Sequence, residues 1–128
     1  MASIIVMADE VGVLRSLAAI VAANGHVVTA VGDGVTGLRM LTETMFDVVI
    51  TDIRRPGLSG LEVISRGRVR SPGTRFLAIV GADVKSRALP PLPSAQKFGA
   101  DGLLLRPCND DAMLALLEEL LNERRAFV

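Results

Sequence analysis

Apolar and polar positions along this chain follow two alternating patterns. Five short runs are dense in apolar and β-branched residues: Ile4 to Ala8, His26 to Val31, Asp47 to Asp52, Phe76 to Val80 and Gly102 to Leu105. Each has the length and composition of a buried strand. Between them, apolar residues recur at helical spacing. Leu14, Leu17, Ala18 and Val21 predict a helix over Val11 to Asn24, with Gly25 placed to end it. Leu38, Leu41 and Met45 predict a second helix, opened by Asp33 as N-cap and running to about Thr44. Leu61 and Ile64 predict a third over Ser59 to Arg70, with its arginines outward and Ser71-Pro72-Gly73 as the stop. Met113, Leu114, Leu116, Leu117, Leu120 and Leu121 form a wide stripe on a last helix capped by Asn109. Asp110 and Asp111 in its first turn and Arg124 and Arg125 near its end suit the helix dipole.

Strands that alternate with helices imply right-handed crossovers and a parallel sheet covered on both faces. The prediction is therefore an α/β, doubly wound domain. One segment breaks the rhythm. Pro90-Pro91-Leu92-Pro93 cannot lie inside a helix, which confines the helix before the last strand to about Ser94 to Phe98. There is no internal repeat and no linker, so residues 1–128 read as one domain with no output domain after it.

Two acids carry the chemistry. Asp52 ends the run Val48-Val49-Ile50-Thr51 and is followed by Ile53-Arg54-Arg55-Pro56-Gly57-Leu58-Ser59-Gly60. Open α/β sheets bind ligands beyond the carboxyl ends of their strands, which is where this carboxylate falls. Asp9 follows the first run, with Glu10 beside it. If those two strands are neighbours, Asp9 and Asp52 share a pocket. Each acid also has a plainer reading: Asp52 as a cap for the turn before Ser59, Asp9 as a helix N-cap, Glu10 as a first-turn helix charge.

Bulk properties narrow the partners. Fourteen basic residues balance fourteen acidic ones, so nothing in the net charge favours nucleic acid or an anionic membrane. No stretch reaches the roughly 20 apolar residues of a membrane span. A single cysteine, Cys108, excludes an internal disulfide and fits a reducing, cytoplasmic compartment. His26 is expected at the surface. The loop after the first strand, Ala8-Asp9-Glu10-Val11, is acidic where a nucleotide- or flavin-binding enzyme of similar winding would need glycines and hydroxyls to cradle phosphate.

The chain resembles the receiver domain of two-component response regulators. The likeness is carried by Asp9-Glu10 after the first strand, by Asp47 through Glu62 around Asp52, and by Phe98-Gly99-Ala100-Asp101-Gly102 followed by Arg106-Pro107. It implies a five-stranded parallel sheet of order 2-1-3-4-5, flavodoxin-like, here with a shortened fourth helix. It implies that Asp52 accepts a phosphoryl group from a histidine kinase or phosphotransfer protein. It also implies that Mg²⁺ sits on Asp9, Asp52 and the backbone carbonyl of Arg54, with Glu10 a weak further candidate. An all-oxygen site of this kind suits Mg²⁺, which keeps several waters. The domain would itself carry the chemistry of its phosphorylation and dephosphorylation, and would signal by docking an unidentified downstream protein. Relatives often pair through the surface of the last strand and its flanking helices, so a homodimer is an open alternative.

Four positions depart from the family pattern. Ala8 stands where the family has the first of two acids, which predicts weakened Mg²⁺ binding. Gly81 stands in place of the Ser or Thr that contacts the phosphoryl group, a bond worth about 1.5–3 kcal/mol. Leu103 replaces the aromatic switch residue. Arg106 stands in place of the usual lysine as phosphate contact, keeping the charge and offering a two-pronged fork. Two readings follow: a receiver phosphorylated on Asp52, or a pseudo-receiver whose fold serves protein binding alone.

Overall fold

The computed structural model describes residues 1–53, 59–80, 99–105 and 109–126, with side chains through Glu123. The described strands are β1 (Ser3–Met7), β2 (Val27–Val31), β3 (Val48–Asp52), β4 (Arg75–Val80) and β5 (Gly102–Leu105). The described helices are α1 (Val11–Ala23), α2 (Gly34–Glu43), α3 (Gly60–Arg70) and α4 (Asp110–Ala126). The predicted short helix over Ser94 to Phe98, the proline segment before it, and Cys108 lie outside the described residues.

All four strand pairings are parallel and the order is β2-β1-β3-β4-β5, as the resemblance implied. The central strands are buried on both faces, which is why they are apolar almost without alternation. One face packs Ile4, Val6, Val48, Ile50, Leu77 and Ile79 against α1 and α4. The other packs Ile5, Met7, Val49, Phe76, Ala78 and Val80 against α2 and α3. β2 and β5 form the edges, and both are only partly covered.

The caps follow the sequence signals. Asp33 accepts from the Thr36 amide at 2.7 Å, Ser59 from the Glu62 amide at 3.3 Å, and Asn109 from the Ala112 amide at 2.7 Å. Each satisfies an amide that the helix itself leaves without an acceptor. Gly25, just past α1, has φ +86°, a conformation that favours glycine.

Three expectations need correction. Met45 does not extend the stripe of α2. The helix ends at Glu43 and the chain turns extended at Thr44, so the helical period no longer applies and Met45 is exposed. Arg68 is not part of a solvated arginine face. It donates to both oxygens of Asp101 at 3.0 and 3.2 Å, and Arg75 and the Phe76 amide share that carboxylate. His26 is not a surface residue either. Its side chain is 5% exposed, with Nδ1 accepting from the Ala2 amide and Nε2 bonded to Glu118 of α4. Because Nδ1 accepts, the ring proton sits on Nε2 and points at Glu118.

Candidate functional site

The register brings the predicted acids to one end of the sheet. β1 lies between β2 and β3, and Met7 stands beside Thr51. One residue on, Ala8 is fully buried and its amide still bonds to the Val31 carbonyl at 3.2 Å. Asp9 and Glu10 then emerge exposed beyond the end of β1. On the neighbouring strand Asp52 is the last residue of β3, paired with Ile79 of β4. β1 is the strand at which the chain reverses its direction of winding, so the two acids flank the crevice where such sheets bind ligands.

The plainer reading of Asp9 does not hold. The N-cap of α1 is Glu10, and Glu10 makes no side-chain capping bond. Asp9 is thus an exposed carboxylate with no capping task. Glu10 takes the cap position and its carbonyl accepts from Leu14 at 2.9 Å, which places it in the helix as much as at the site.

Asp52 is half-buried. Its Oδ1 is shut off from solvent with no hydrogen-bond partner among the described residues, while the residue as a whole is engaged in interactions. Its backbone is held on several sides. The Thr51 hydroxyl donates to the Asp52 carbonyl at 3.0 Å. The Ile53 amide donates to Ile79 at 3.0 Å, and the Gly60 amide to Ile53 at 2.9 Å. Gly60 lies so close that a Cβ there would overlap the Asp52 carbonyl oxygen and come within 2.6 Å of the Ile53 Cα. Only glycine fits, because the obstacle is main chain and cannot rotate away.

Of the remaining predicted residues, Arg54, Gly81 and Arg106 lie outside the described residues. β4 ends at Val80 and β5 at Leu105, side by side in register, at the same end of the sheet as Asp52. Leu103 is half-buried against the core on the α2 and α3 face. The sequence reading missed Thr51. Its signal was present, since it is the one hydroxyl in the apolar run before Asp52.

The donors at this end fit a hard cation. Asp9 and Asp52 supply carboxylate oxygens from adjoining strands. No cluster of three His, Cys, Asp or Glu side chains occurs among the described residues. A cation here would therefore complete its shell with main-chain or water oxygens, as Mg²⁺ readily does and Zn²⁺ does not.

The family model for the response regulator receiver domain matches residues 4–118. The chain belongs to that family. It is 30% identical over 121 residues to the transcriptional regulatory protein FixJ of Bradyrhizobium diazoefficiens, an alignment covering 94% of this chain and 57% of FixJ. The chain thus spans little more than half the length of that relative. Among solved structures, a response regulator receiver domain protein from Clostridium thermocellum superposes with a TM-score of 0.87 at 25% identity, with all of both chains covered. The Thermotoga maritima response regulator TrrA, in complex with Mg²⁺-BeF, superposes with a TM-score of 0.79 at 23% identity over 94% of this chain and 99% of TrrA.

Proposed function

We propose that the chain is a phosphorelay receiver whose phosphoacceptor is Asp52. One observation carries the reading: a half-buried carboxylate ends β3 beside β1, from which Asp9 emerges at the same sheet end. A histidine kinase or a phosphotransfer protein is the donor. The P–N bond of its phosphohistidine breaks, the imidazole leaves, and a P–O bond forms to a carboxylate oxygen of Asp52.

Asp9, Asp52 and the backbone carbonyl of Arg54 are the residues that would hold Mg²⁺; TrrA, which shares the fold, is known as a complex with Mg²⁺-BeF. When bound, the ion offsets negative charge on the phosphoryl oxygens as they near the carboxylate. The main-chain bonds around Asp52 fix the backbone from which the nucleophile projects, which limits the rearrangement that precedes transfer. Arg106 is the phosphate contact, and Gly81 leaves the phosphoryl group one hydroxyl donor fewer than in typical relatives. The added charge on Asp52 draws the surrounding loops into a new arrangement that a downstream protein reads. We place the protein in the cytoplasm, in keeping with the absence of any helix among the described residues long and apolar enough to cross a membrane. Residues 1–128 form one receiver unit in this reading.

The test is incubation with Mg²⁺ and acetyl phosphate, read as intact mass. A phosphate-sized gain that needs Mg²⁺ and vanishes in Asp52→Ala is the expected result. An equal gain in Asp52→Ala overturns the assignment of the acceptor. The absence of any gain in the wild-type chain, together with no detectable Mg²⁺ binding, favours the pseudo-receiver.

A further inference from the structure

We propose that Thr51 is a positioning residue for phosphoryl transfer: its buried hydroxyl holds the main-chain carbonyl of Asp52 and thereby sets the direction of the Asp52 carboxylate. The inference rests on the reading of Asp52 as acceptor.

Three buried residues with polar side chains occur in the described core: Thr51, Ser71 and Thr74. The last two belong to the opposite end of the sheet. There Ser71 and Thr74 bond to each other, and Thr74 donates to the Phe46 carbonyl at 2.7 Å, closing the turn before β4. Thr51 stands alone among Val48, Val49 and Ile50, with no part of its side chain exposed. Valine has the same shape and would fill the site without the cost of burying a hydroxyl. The hydroxyl needs a partner, and its partner is the carbonyl of the next residue, Asp52, at 3.0 Å.

That carbonyl is a sensitive place. Asp52 is the last residue of β3, where the regular ladder gives out. A carbonyl at a strand end must still find a donor. Across the peptide bond Ile53 is fixed to β4 and to the start of α3, and Gly60 closes against the Asp52 oxygen from the far side. The Thr51 hydroxyl therefore completes a clamp around one peptide unit. Without that clamp the Asp52 main chain is free to shift, and its Cα carries the side chain with it relative to the crevice beside Asp9. Misplacement of a reacting group by a fraction of a bond length is enough to slow a reaction measurably.

The experiment compares Thr51→Val and Thr51→Ser with the wild-type chain. The rate of phosphorylation by acetyl phosphate is measured at saturating Mg²⁺, beside thermal unfolding of each protein. Val keeps the shape and loses the hydroxyl; Ser keeps the hydroxyl and loses a packed methyl. Positioning predicts that the rate follows the hydroxyl. Val lowers the rate constant roughly 2- to 10-fold, the factor corresponding to one ordinary hydrogen bond. Ser melts earlier because of the lost methyl and keeps nearly the wild-type rate. If Val unfolds the chain, Ser against Thr51→Ala makes the same comparison, because both lack the methyl and only Ser has the hydroxyl. A wild-type rate in the hydroxyl-free variant overturns the proposal and leaves Asp52 as acceptor. So does a rate that follows the methyl rather than the hydroxyl. Failure of the wild-type chain to take phosphate on Asp52 overturns the reading of the site, and this proposal with it.

Discussion

Gly60, the first residue of α3, rests directly on the main-chain carbonyl of Asp52, the last residue of β3. A helix start and a strand end are thus in contact through backbone alone. Replacement by alanine must push α3 away or turn the Asp52 peptide. Overpacking of this kind costs about 1–3 kcal/mol. Gly60→Ala is expected to lower the urea unfolding midpoint by the corresponding amount and to slow phosphorylation by acetyl phosphate. An unchanged midpoint would show that α3 can shift freely.

Asp9 is exposed and carries no helix cap, so its removal should be nearly silent for folding. Asp9→Ala is expected to keep unfolding free energy in EDTA within about 0.5 kcal/mol of the wild-type value. Its affinity for Mg²⁺, measured by calorimetric titration, should fall more than tenfold. Equal affinity in the two proteins would remove Asp9 from the metal site.

Ala8 offers the reverse experiment. Its side chain is fully buried beside the end of β3. Ala8→Asp places a second carboxylate close to Asp52, where like charges oppose each other until a cation binds. The variant should melt earlier than the wild type in EDTA and bind Mg²⁺ about tenfold more tightly, the scale of supporting interactions around a metal. Ion binding would then restore much of the lost stability. Weaker binding in this variant would mean that the buried position cannot face the metal.

The opposite end of the sheet holds a separate structural device. Asp101 accepts from Arg68, Arg75 and the Phe76 amide, and its own amide donates to the Phe76 carbonyl at 2.8 Å. It ties the entry to β5 onto β4 and α3. Asp101→Ala strips three donors of their acceptor and is expected to cost about 3 kcal/mol, since the carboxylate is largely buried and makes charge-assisted bonds. Chemical denaturation measures this. Because Asp101 and Asp52 lie at opposite ends of parallel strands, phosphorylation of the protein that remains folded should be little changed.

Local signals in the sequence determined the secondary structure. Val48 to Thr51 read as a buried strand because the run is short, rich in β-branched residues and closed by the Pro-Gly turn signal, and it lacks the alternation of a half-solvated strand. Asp33, Ser59 and Asn109 announced their helices because a short side chain with an oxygen can satisfy an amide two or three residues on without help from elsewhere. The order of the strands and the placing of Asp9 and Asp52 at one end of the sheet were also legible, from the alternation of elements and the resemblance together. The pairings that join distant parts of the chain were not. His26 looked like a surface residue because Ala2 and Glu118, which bury and bond it, are remote in sequence. Arg68 looked solvated because its partner Asp101 lies beyond another strand. Thr51 was one hydroxyl in a hydrophobic run, and its use emerged only when β3 ended against β4 and α3 and its side chain met the Asp52 carbonyl. Sequence patterns report what each residue prefers over a few neighbours. Which polar atoms are left to satisfy, and which glycine must admit a carbonyl, is decided when the elements pack.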